Sequence, residues 1–139
     1  MKKTKLSIEF EYDFQLFGIT SSSKFHKLCW SINQTLGIRL VKKEDFEVIQ
    51  KDHAPSYFIH SNFEDDSCSF SLFKNKSPDN DAHLLIPELP HFDYIIKFNG
   101  LFQTFALEEL LKQLLEVKYI EYIAEISIDT IKSRDNFLY

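Results

Sequence analysis

Glycine, methionine and cysteine are scarce in this chain, with three, one and two residues respectively among 139. Three glycines cannot build a Gly-rich phosphate cradle of the Walker or dinucleotide-binding kind, which disfavours phosphoryl transfer and nicotinamide chemistry. A Gly-x-Ser-x-Gly nucleophile elbow is missing too. Cys29 and Cys68 are too few for a disulfide framework. Both fall at apolar-face positions, the usual place of a free buried thiol, so a reducing compartment is expected. No block of five Lys or Arg occurs: Lys2-Lys3, Lys5 and Lys42-Lys43 are short and separated, and the net charge is −5. Duplex binding draws its non-specific affinity from clustered cations, so no nucleic-acid partner is expected. No apolar run approaches the roughly 18 residues of a membrane span. The N-terminal lysines lead directly into Ser7, Glu9, Glu11 and Asp13, without the apolar stretch of a signal peptide. These absences predict a cytoplasmic protein with no membrane partner.

Large aromatics are abundant instead. Fourteen Phe and six Tyr indicate a core of flat, rigid side chains. The length suits one globular domain spanning 1–139, since domains of about 100 to 150 residues bury roughly two thirds of their unfolded surface.

Periodicity supplies the elements. Leu6, Ile8, Phe10, Tyr12 and Phe14 alternate with Ser7, Glu9, Glu11, Asp13 and Gln15, predicting a strand with one wet face that Gly18 breaks. Thr20 to Ser23 offer N-cap oxygens for a helix over 22–36, whose apolar face is Phe25, Leu28, Cys29, Ile32 and Leu36 and which Gly37 stops. Short β pieces are expected at 39–41 and 46–49. Stretches 56–63 and 68–74 form a hairpin around Glu64-Asp65-Asp66-Ser67, with one buried face. Residues 75–81 read as a loop tip, and strands are expected at 83–86 and 92–98. Leu107, Leu110, Leu111, Leu114 and Leu115 mark a second helix with Glu108 and Glu109 in its first turn. Residues 117–126 fit either a helical extension or a final strand, and 127–139 close the chain with a short turn or helix. The order predicts an α+β two-layer sandwich with a mostly antiparallel sheet and two main helices. Each helix would cover one face of the sheet, with the other face open to solvent or a partner.

The segment Ile86-Pro87-Glu88-Leu89-Pro90-His91-Phe92-Asp93-Tyr94 stands apart. Two prolines three residues apart have no N–H to donate to a ladder, so this stretch leaves the sheet as a stiffened loop. Ile86-Pro87-Glu88 and Asp93-Tyr94, with Phe92 where the pattern has Val, resemble the signature of the bacterial IPExxxVDY family. Further matches are Phe17-Gly18-Ile19, Leu28-Cys29-Trp30 followed by Asn33, and the tail from Lys132-Ser133 to Asn136. The resemblance implies one intact bacterial domain. It lends no activity, cofactor or catalytic residue.

Three readings of the site follow. In the leading one the chain is a non-enzymatic protein-interaction or regulatory module that binds another protein or itself. Its contact residues are Trp30, Asn33, Pro87, Glu88, His91, Phe92, Asp93 and Tyr94. His26, Trp30 and Asn33 lie at i, i+4 and i+7, a helix ridge that either binds or covers the flank of the core. In the second reading His83, Glu88, His91 and Asp93 form a metal site or a hydrolase-like acid–base set. Their spacing is no known metal signature, and no resident cofactor is expected. In the third, Glu88 and Asp93 only tie the loop to neighbouring backbone amides.

Overall fold

The computed structural model describes residues 14–49, 55–65, 68–78, 83–100 and 104–137. Eight strands are assigned among them: β1 Phe14–Thr20, β2 Val41–Lys42, β3 Phe46–Val48, β4 Ser56–Phe58, β5 His60–Glu64, β6 Cys68–Lys74, β7 Tyr94–Gly100 and β8 Tyr122–Ile126. The helices are α1 Phe25–Leu36 and α2 Thr104–Leu114, and 3-10 helices cover Ile128–Thr130 and Lys132–Phe137. The main sheet is antiparallel, in the order β2-β5-β6-β7-β1-β8, while β3 and β4 pair separately. The fold is α+β. No helix among the described residues is long and apolar enough to cross a membrane.

Strand alternation builds two cores, one on each face of the sheet. Phe17 and Ile19 of β1, Phe70 and Leu72 of β6, and Tyr94, Ile96 and Phe98 of β7 meet Leu28, Cys29 and Ile32 of α1 and Leu114 of α2. Phe14 and Leu16, Phe73 and Ile95 point the other way. They meet Leu85, Ile86 and Phe92 together with Ile126, Ile131 and Phe137. Both helices therefore lie on one face, and the opposite face is largely sealed by the signature loop and the 3-10 helices. The expectation of an open face fails because the signature loop and apolar side chains of the 3-10 segment cover it.

Several local expectations change for physical reasons. The strand predicted over 6–15 lies mostly outside the described residues, and β1 runs straight through Gly18, which pairs with Ile95 and Ala124. A Cβ on Gly18 would sit 2.3 Å from Phe92 Cδ2, so glycine admits a ring laid flat on the strand. Helix α1 starts at Phe25, with Lys24 as N-cap and no side-chain cap, because the serines ahead of it are engaged elsewhere. Gly37 ends it in the left-handed conformation at φ 70°, its N–H donating to Asn33 O. Helix α2 starts earlier than expected, which removes Glu108 and Glu109 from its first turn, and Leu115 beyond its end is 64% exposed. The 117–126 ambiguity resolves as a turn followed by β8. Residues 83–86 form only a bridge between Lys76 and Leu84. The N–H groups of Leu85 and Ile86 are claimed by Asn75.

Candidate functional site

The signature segment is an ordered corner built around one buried amide. Asn75 has no exposed surface. Its Nδ2 donates to Phe92 O at 2.9 Å and Leu89 O at 3.3 Å, and its Oδ1 accepts from Ile86 N at 2.9 Å. Its backbone adds two bonds, accepting from Leu85 N at 2.8 Å and donating to Asp93 O at 3.0 Å. One side chain thus serves the polar backbone of both arms of the loop, which Pro87 and Pro90 leave without ladder partners. Nothing in the sequence separated Asn75 from the polar stretch that follows it.

The ionisable groups of the corner are held apart from one another. Asp93 Oδ2 accepts from Ser21 N at 2.9 Å, which fixes the approach to α1. Glu88 accepts from Ser133 N at 3.1 Å and Ser133 Oγ at 2.8 Å, tying the loop to the second 3-10 helix. His83 Nδ1 lies 2.6 Å from Ser56 Oγ. His91 is exposed, with its ring 4.2 Å from that of Phe92. Each group therefore has its own neighbour, and the four do not converge. Among the described residues no group of three His, Cys, Asp or Glu is placed to hold a metal ion.

Of the apolar candidates, Phe92 and Tyr94 are core residues and offer no surface. Tyr94 Oη donates to Ser23 O at 2.5 Å. Burial first, then Asp93 and Cys29 nearby, push its pKa up to about 12. Asn33 is also structural, since its Oδ1 accepts from Leu40 N at 2.8 Å and holds the chain that leaves α1. Trp30 is different: it is 61% exposed on the outer side of α1, between exposed His26 and Gln34. Pro87 and Pro90 are exposed on the loop. The loop belongs to the face opposite α1, so the structure does not bring Trp30 and the signature together.

Neither thiol has the setting of a nucleophile. Burial raises the Cys29 pKa, only partly offset by its contact with Ser61 Oγ at 3.6 Å. Cys68 is raised by burial and then by Asp65. It lines an apolar cleft of about 200 Å³ with Phe70, Phe98 and Leu110. Sequence reasoning missed Lys97 and His60, which lie beside a polar cavity on the second face. Lys97 carried a signal, as the lone charge within the apolar run of β7.

Fold and geometry together define an α+β domain whose sequence signature is a structural corner and whose exposed aromatic ridge lies on α1. No family model matches the chain, and no curated protein matches it.

Proposed function

We infer that this chain is a non-enzymatic recognition domain of the bacterial cytoplasm, of the IPExxxVDY type, and that it binds a protein partner or a second copy through the outer ridge of α1. The exposure of Trp30 carries this reading. A tryptophan held in water forgoes a large burial free energy, and such residues are the commonest energetic anchors of interfaces. The fate of the signature residues supports it as well: Glu88, Asp93 and Tyr94 are committed to framework bonds, which leaves recognition to the surface they support. Two unbridged cysteines fit a reducing compartment.

Trp30 is the single tryptophan, so its emission reports on the ridge directly. Acrylamide quenching followed as the protein is concentrated, and as fractionated bacterial proteins are added, should fall when the ridge is covered. Trp30→Ala, which has no tryptophan to read, should weaken the same association at least about tenfold in analytical ultracentrifugation, with an unchanged melting temperature. Quenching that stays at the free-surface level in every fraction and at every concentration overturns the assignment.

A further inference from the structure

The two ends of the main sheet are finished differently. At one end β2 is two residues long, carries Lys42 and is followed by Lys43. Short edges and lysines are what keep a sheet from adding strands. At the other end β8 has neither protection. It runs five residues, Tyr-Ile-Ala-Glu-Ile, without proline, glycine or lysine, and no strand among the described residues pairs with its outer side. β1 holds the inner side, in register from Leu16 opposite Ile126 to Thr20 opposite Tyr122. The backbone groups that point outward along β8 are therefore a template for one more strand.

The side chains give this edge a character. Tyr122, Ala124 and Ile126 line one face of the strand, and Ile123 and Glu125 the other. Tyr122 is 57% exposed, and its ring lies parallel to that of Phe92 with the centroids 6.5 Å apart. Ala124 and Ile126 continue that side into the second core, while Ile123 packs against the first. Glu125 is exposed, and its carboxylate enters no ion pair or hydrogen bond among the described residues. Glu121, just ahead of the strand, is already engaged: its Oε2 accepts from Ser22 N at 3.1 Å and from Ser22 Oγ at 2.8 Å.

Charge decides the occupant. A second copy paired antiparallel about Ala124 would set the two Glu125 carboxylates diagonally on the same face, about 7–8 Å apart. Each chain also carries a net charge of −5, so both terms oppose self-pairing. A strand with Lys or Arg opposite Glu125 turns the local repulsion into attraction, and the net charge steers it in.

We propose that β8 binds, by strand addition, an extended cationic segment of another protein in which Lys or Arg alternates with β-branched residues, the cations on the side of Glu125 and the apolar residues on the side of Tyr122 and Ala124. This surface goes beyond the recognition reading and does not depend on it, since Trp30 stands on α1.

The test is a titration of the isotope-labelled full chain, read by backbone amide resonances, with a capped octapeptide of alternating Val and Lys. Its controls are a peptide of the same composition with the valines and lysines in two blocks, and the alternating peptide with a central Val replaced by Pro. The alternating peptide should give saturable shifts centred on 121–127 and slow hydrogen exchange along β8, with both controls at least about tenfold weaker. Glu125→Lys, at an exposed position, should weaken it at least about fivefold with an unchanged melting temperature. Three results overturn the proposal: no saturation by about 5 mM, controls that bind as well as the alternating peptide, or indifference to Glu125→Lys. Protection of β8 that rises with protein concentration and no peptide also overturns it, because a second copy would then hold the edge. Shifts centred on α1 overturn it as well. Trp30 quenching is read without the peptide and at another surface, so the two readings fail independently.

Discussion

At the scale of single residues, Gly18 and Phe92 are one device. Phe92 belongs to the second core and its ring occupies the space a Cβ on Gly18 would need, 2.3 Å from Cδ2. The Phe17-Gly18-Ile19 strand and the signature loop are therefore coupled sterically, although 74 residues separate positions 18 and 92. Gly18→Ala should destabilise by about 2 kcal/mol, the usual scale of an overpacked core. Phe92→Val opens a cavity and should cost about as much on its own. In the double variant the new methyl enters the vacated space, so the two costs should fall short of additivity by about 1 kcal/mol or more in urea denaturation. Strict additivity would mean that ring and strand are not in contact.

At the scale of elements, the corner from Leu84 to Asp93 replaces sheet hydrogen bonds with bonds to one side chain. Asn75→Ala removes the acceptor for Ile86 N and the donor for Phe92 O inside a closed core. Each orphaned buried group costs about 1–3 kcal/mol, so a loss of about 3 kcal/mol or more is expected. Hydrogen exchange at Ile86 should rise with it, while α1 keeps its protection. Uniform loss across the molecule would mean that the corner has no separate stability. Helical and period-two spacing revealed α1 and the pairing of β5 with β6, because each is written in consecutive residues, whereas 56–58 leaves the expected 56–63 strand to pair with β3 and 117–126 fitted helix and strand equally. The proline pair revealed that the loop leaves the sheet, and the acids at 88 and 93 read correctly as candidates for binding backbone amides. The hub Asn75, the ring over Gly18 and the polar cavity depend on pairing between distant strands, which no local pattern encodes. The same ignorance of tertiary cover produced the open sheet face and placed Phe92 and Tyr94 on a surface.

At the scale of the whole molecule, Tyr94 on one face of the sheet is buried and His60 on the other is half-buried, and the pH dependence of stability should report the two faces separately. Tyr94 belongs to the helix-covered core, and its pKa is raised to about 12 by burial, Asp93 and Cys29. Below its ordinary value of about 10 it is neutral folded or unfolded, and its contribution is intact. Between about 10 and about 12 the unfolded chain releases a proton that the folded chain keeps, so stability falls as pH rises. At neutral pH Tyr94→Phe should cost about 1 kcal/mol for the bond to Ser23 O, and the gap from wild type should close across that alkaline window. His60 reports on the other face. Its ring stacks on Phe73 at 5.2 Å and meets Phe46 edge-on at 5.7 Å, and its Nδ1 is buried without a hydrogen-bond partner. Burial lowers its pKa, with Asp45 opposing and Lys42 and Lys43 adding to the shift. Below the ordinary value near 6.5 the unfolded chain binds a proton that the folded chain refuses, so stability falls as pH drops through that window. His60→Phe keeps the ring stack and has no proton to bind. Its melting temperature should therefore lose less than that of wild type between about pH 7 and pH 5, while Tyr94→Phe should follow wild type over the same range. Parallel acid limbs for wild type and His60→Phe would show that the second face does not bury this imidazole, and the packing that sets one wall of the polar cavity would have to be redrawn.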